Sequence, residues 1–133
     1  MNAPYRKNIS AYQAASVQGA AEAASPHRIV LMLMDGALER VHSARGCIAH
    51  GSPGEKSQLL HRAVRIIETL RDSLDMSAGG EIAANLSKLY DYVCMQLVQA
   101  NLTNRIELLD EVSNLLQSVR GAWNEIAPAS SPA

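Results

Sequence analysis

Ser25 to His50 reads SPHRIVLMLMDGALERVHSARGCIAH, and the spacing of its apolar residues decides the fold. Val30, Met34, Ala37, Val41, Ala44 and Ile48 recur at intervals of four and three, the period of one helix face, over about five turns. Ser25 supplies an N-cap oxygen, and Pro26 stands at the first helical position, where its missing N–H costs nothing. His50-Gly51-Ser52-Pro53 breaks the pattern. Working outward, Ser52-Pro53-Gly54-Glu55 reads as a capping box for a second helix carrying Leu60, Ala63, Ile67, Leu70 and Leu74, which ends before Ser77. A third helix starts near Glu81 and shows Ile82, Leu86, Leu89, Val93, Leu97 and Ala100. After a connection over Asn101–Asn104, with Asn104 and Glu107 resembling another cap, a fourth carries Leu109, Val112, Leu116, Val119, Trp123 and Ile126. Connections this short place neighbouring helices antiparallel. The sequence predicts an all-α, up-down four-helix bundle over residues 25–127, a short N-terminal cap segment over 1–24 and a disordered tail over 128–133.

Composition agrees with a helical core. Of 133 residues 47% are hydrophobic but only 4% are aromatic, and phenylalanine is absent. Leu, Ile, Val, Met and Ala suit close-packed helices better than a sandwich. A formal net charge of -1 sets up no overall field toward nucleic acid or an anionic membrane. The longest purely apolar run, Ile29–Met34, is six residues, against the roughly 20 that span a bilayer. Met1–Gln13 lacks the apolar centre of a signal peptide, so a cytoplasmic protein is expected. Cys47 and Cys94 fall within helical patterns and read as buried free thiols, with one structural disulfide as the alternative.

Helical bundles house metals, haem and phosphotransfer histidines, and each leaves a pattern. Glu39-Arg40-Val41-His42 has the Glu-x-x-His spacing of di-iron bundles, but the other helices hold no second copy. His61, beside Arg62, is the candidate for a phosphotransfer histidine, against an ordinary surface residue. No nucleotide loop, nucleophile elbow or haem-attachment motif is present. No enzyme, cofactor or metal is expected. What the helices do carry is apolar excess. Leu31 and Leu38 on the first, Ala83 and Tyr90 on the third, and Leu108 and Leu115 on the fourth widen the stripe beyond the roughly 100° that packing alone needs. Such an arc either fills a thick core or lines a groove for a helix or an extended peptide. Ile9 and Tyr12, three apart in the N-terminal segment, read either as a detachable lid over that groove or as a permanent strap.

Leu74-Asp75-Met76, Gly79-Gly80-Glu81-Ile82-Ala83, Asn85-Leu86 and Leu89-Tyr90-Asp91-Tyr92 form a block with polar and glycine identities that helix formation does not demand. Together with Ser25-Pro26, Gly36-Ala37-Leu38, Leu109-Asp110-Glu111-Val112, Trp123 and the N-terminal Ile9-x-x-Tyr12, it resembles the FliS family of flagellar secretion chaperones. The likeness runs from about Asn8 to Ile126. It implies a chaperone that binds the disordered C-terminal segment of flagellin, blocks premature polymerisation and delivers the subunit to the export gate. Further implied partners are regulatory proteins, with the free protein a monomer or weak homodimer. The flagellin surface expected from the wide arc and the cap comprises Ile9, Tyr12, Leu31, Leu38, Ile82, Leu86, Leu89, Tyr90, Leu108 and Leu115. Two departures from the family pattern stand out: His27-Arg28 stands where acidic residues are frequent, and Asp35 where asparagine is usual.

Overall fold

The computed structural model describes residues 25–126, so Ile9, Tyr12, the cap segment and the tail lie outside the described residues. Four α-helices account for nearly all of it: α1 (Pro26–His50), α2 (Pro53–Asp72), α3 (Met76–Thr103) and α4 (Ile106–Glu125). Each helix packs on the next, and α1 also packs on α4, closing an up-down bundle as the helical periods predict. The core is a single cluster threaded through all four, including Met34, Val41, Leu60, Ile67, Tyr90, Leu97, Leu109 and Leu116.

Local chemistry fixes where the helices begin and end. Ser25 Oγ accepts a hydrogen bond from the Arg28 N–H at 3.1 Å, which is the expected N-cap. Gly51 takes a left-handed conformation (φ 74°) that closes α1. Three boundary expectations are corrected. Ser52 is the N-cap residue of α2, but its side chain makes no capping bond, because its backbone (φ -112°, ψ 73°) is not the extended form that aims a hydroxyl at the first turn. α2 stops at Asp72, so Leu74 lies beyond it in the connection. Asn104 does not open α4; it closes α3 with φ 58°, its N–H bonded to Ala100 O.

The start of α3 is two pieces. Met76–Gly79 form a first helical turn capped by Asp75, whose carboxylate accepts from the Ala78 N–H (3.0 Å) and Ser77 Oγ (2.9 Å). Those bonds, the backbone one foremost, hold the Asp75 carboxyl below its ordinary pKa. Gly80 then breaks the helix with φ 55° and ψ -129°, and the regular helix resumes at Glu81, where the sequence places its start. The neighbouring Gly79 approaches Ala83 so closely that an added Cβ would lie 2.6 Å from the Ala83 Cβ.

Polar ties align the ends. Lys56, the one buried charged residue among those described, donates from Nζ to Asn101 O (2.9 Å) and Asn104 Oδ1 (2.6 Å), placing an ammonium on the C-terminal carbonyl end of α3. Arg45 pairs with Asp110, Arg71 with Asp91, and Arg120 bidentately with Asp35. The last pair joins α1 to α4, and only a carboxylate at position 35 can accept both arms of the guanidinium fork. Cys47 and Cys94 are free; Cys47 is buried and Cys94 half-buried.

Candidate functional site

In an up-down bundle the start of α1, the end of α2, the start of α3 and the end of α4 meet at one end. There the helices leave a groove of about 470 Å³. α1 contributes Pro26, Ile29, Val30, Leu33 and Met34; α2 and its connection contribute Thr69, Leu70, Ser73, Leu74 and Asp75. Leu86 and Tyr90 of α3, with Val119 and Trp123 of α4, complete the lining. The lining is mostly apolar, with Thr69, Ser73 and Asp75 at its α2 side, so water in the groove is displaced favourably by an apolar segment.

Two features give the groove a shape rather than leaving it a gap. At its α1–α4 side, His27 and Trp123 stack with ring centroids 5.3 Å apart and planes 17° from parallel. They also exchange hydrogen bonds: His27 Nε2 donates to Trp123 O at 2.8 Å, and Trp123 Nε1 donates to His27 O at 3.0 Å. This clasp holds the indole at the wall and explains why a histidine suits a first helical turn where its charge would be unfavourable. At its floor, Tyr90 is 2% exposed and makes no hydrogen bond among the described residues, yet no buried side-chain polar atom there is left without a partner. Its hydroxyl therefore keeps contact with solvent through the groove, one polar handle on an apolar floor. Burial of the ring raises the phenol's pKa, so the handle stays protonated and can donate.

Of the candidate residues from sequence, Leu86 and Tyr90 line this groove. Leu31 is buried in the core of the bundle, and Leu38, Leu108 and Leu115 are half-buried against it. Leu89 is half-buried, and Ile82 is 73% exposed beyond Gly80. Val119 and Trp123, stripe residues of α4 in the sequence, also line the groove, and Ile29, Leu33 and the His27 clasp are the additions that the structure makes. For Ile29 and Leu33 the signal is the run Ile29–Met34, apolar around the whole helix circumference, more than a one-sided stripe requires. A second apolar surface runs along the outer face of α3, where Met95, Val98 and Leu102 are exposed.

His42 and Glu39 are exposed on α1, and among the described residues no three His, Cys, Asp or Glu side chains gather into a metal-holding group. His61 is exposed on α2. Among the described residues no helix is long and apolar enough to cross a membrane.

Comparison with known proteins identifies relatives along nearly the whole chain. Residues 8–130 match the family model described as flagellar protein FliS. The chain is 43% identical to flagellar secretion chaperone FliSB of Pseudomonas aeruginosa over 121 residues, covering 91% of this chain and 96% of the relative. It is 41% identical to the flagellar secretion chaperone FliS of Vibrio cholerae (92% and 90% covered) and 43% identical to that of Salmonella typhimurium (92% of each).

Proposed function

The chain belongs to the FliS family of flagellar secretion chaperones, and on that premise we propose that its client is flagellin. The chain binds the disordered C-terminal segment of flagellin in the cytoplasm, keeps it from polymerising and delivers it to the flagellar export apparatus. The observation that carries this reading is the groove with Leu86, Tyr90, Leu33 and Trp123 on its walls. A disordered client loses backbone freedom on binding, about 1–2 kcal/mol per ordered residue. Only burial of apolar side chains offsets that cost at about 25 cal/mol per Å². A few client side chains seated in the groove anchor the segment, and exposed Met95, Val98 and Leu102 extend the apolar path along α3. Ile9 and Tyr12 contribute to this surface from the N-terminal segment, as a detachable lid or as a permanent strap, while Leu31, Leu38, Leu108 and Leu115 pack within or against the bundle. Nothing in this role requires covalent chemistry, and the relatives are named as chaperones.

Co-purification with full-length flagellin and with flagellin lacking its C-terminal segment tests the proposal. The complex is expected with the first and not with the second; equal recovery of both would sink it. Leu86→Asp, at the half-buried groove wall, should weaken capture while the bundle still melts cooperatively. His42→Ala and His61→Ala should leave capture and stability unchanged, since both side chains are exposed.

A further inference from the structure

Arginine pairing is uneven across the molecule. Arg45, Arg71, Arg105 and Arg120 each hold a carboxylate. Among the described residues Arg28, Arg40, Arg62 and Arg65 hold none, and three of these four converge. Arg40 from α1 and Arg62 and Arg65 from α2 line one open concavity of about 410 Å³, with Ile66 as its apolar floor and His61 at its edge. Arg62 and Arg65 are three residues apart and so share a face of α2. Arg40 is set in place by donating from Nη1 to Gly36 O at 3.0 Å. A Cβ on Gly36 would stand 3.4 Å from that same nitrogen and 3.6 Å from Ile66 Cδ1, so the glycine leaves room for the guanidinium beside the floor. Glu39 and Glu68, the nearest acids in sequence, form no ion pair with the cluster. Three arginines lining one cleft with no ion pair to a carboxylate leave like charges facing a shared space, and an anion supplied from outside relieves their repulsion.

We propose that this cleft between α1 and α2 is a docking site for an acidic segment of a second protein, one that presents carboxylates on either side of an apolar side chain. Guanidinium forks match carboxylates in pairs, and Ile66 between them fits an aliphatic group that a nucleic-acid backbone or a free phosphate lacks. A chain of net charge -1 has no wider field to gather polyanions or anionic membrane, so recognition is confined to the cleft. The groove at the bundle end uses none of these residues, so the client and this partner can be held at once. The site does not depend on which client the groove takes.

The test titrates the full chain with a fluorescent peptide of glutamates flanking two leucines, read by anisotropy at low and high salt. Binding is expected at low salt and weakens as salt rises. Arg62→Glu/Arg65→Glu should weaken it by about tenfold or more, as close charge pairs do when one side is reversed. Arg28→Glu/Lys88→Glu makes the same change in net charge outside the cleft and should leave affinity within about twofold. A peptide with serine in place of leucine should bind several-fold less tightly. The proposal is overturned if both double variants lose affinity equally, or if the serine peptide binds as well. It is equally overturned if phosphatidylglycerol vesicles or inorganic phosphate engage the same arginines while the peptide does not bind. Arg62→Gln/Arg65→Gln, checked by circular dichroism, carries the same expectation should the charge reversal unfold the bundle.

Discussion

His27 shows how one side chain can carry a meaning that its position in the sequence hides. A histidine in the first turn of a helix faces an unfavourable dipole, but here its ring stacks on Trp123 and its Nε2 closes a hydrogen bond across 96 positions of chain. His27→Ala removes the stacking and the bond, each worth roughly 0.5–1.5 kcal/mol. The expected loss is about 1–2 kcal/mol in urea unfolding. Trp123 is the only tryptophan, so its emission reads the clasp directly: the variant should shift that emission while leaving far-ultraviolet circular dichroism unchanged. An unaltered spectrum would mean that the clasp does not hold the indole. Cys94 illustrates the opposite case, a residue with chemistry suppressed by its surroundings. Burial foremost, then the nearby Glu68 carboxylate, pushes its thiol up to about 11, so it stays a thiol at neutral pH and reacts slowly with alkylating agents.

At the scale of elements, the regular parts were legible in the sequence because each depends on near neighbours. The interval of three and four that located α1 needs only the helix itself, and the Ser25 cap needs only three residues. The groove was legible in part: Leu86 and Tyr90 sit on the wide face of α3 and reach it, whereas Leu108 and Leu115, equally wide on α4, pack against the core. Periodicity gives the width of an apolar arc, not which edge a neighbouring helix covers. Lys56 was invisible for a similar reason, since its partners Asn101 and Asn104 belong to a helix 45 and 48 positions away. The Gly79-Gly80 pair has a requirement that helical periodicity does not show. Gly80 at φ 55° and ψ -129° adopts a backbone that costs an alanine about 1–3 kcal/mol. Gly79→Ala would drive its Cβ against Ala83. Both substitutions are expected to reduce amide protection over residues 76–83 and to weaken client binding, because Leu74, Asp75 and Leu86 flank the kink and line the groove. Ala83→Gly should restore part of the loss in Gly79→Ala and none in Gly80→Ala. Equal rescue of both would show that steric approach, not backbone handedness, governs the turn.

For the molecule as a whole, two equilibria follow from how the pieces are joined. Several carboxylates that tie helices together, Asp110 through Arg45 and Glu111 through Tyr92 and then Gln96, have folded-state pKa values lowered from 3.8 and 4.5 respectively. A lowered pKa adds stability that is present above the unfolded value and lost as pH falls through the folded one. The melting temperature should therefore be flat near neutrality and decline through and below that carboxylate range; Asp110→Asn should flatten the decline. The second equilibrium concerns the groove and the segment before Ser25. Pro26 lies on the groove's rim, and residues 13–24 separate it from Tyr12. Twelve residues extend to at most about 43 Å, ample for Ile9 and Tyr12 to return to a groove whose edge is the point of attachment. If the segment acts as a lid, tethering at that length would give it a high effective concentration, and even weak contacts would compete with a client. Deleting residues 1–15 should leave the helices folded, since the described residues of the four helices form a closed core cluster among themselves. It should also lower the stability of the free bundle modestly and shift the emission of Trp123. Calorimetry with flagellin then separates two mechanisms. A lid that only competes raises affinity on removal, and one that swings aside to touch the client lowers it, in either case by at least about 1 kcal/mol for two apolar side chains transferred. Unchanged affinity together with unchanged Trp123 emission would make the segment a strap fixed elsewhere on the bundle, with the groove open to the client at all times.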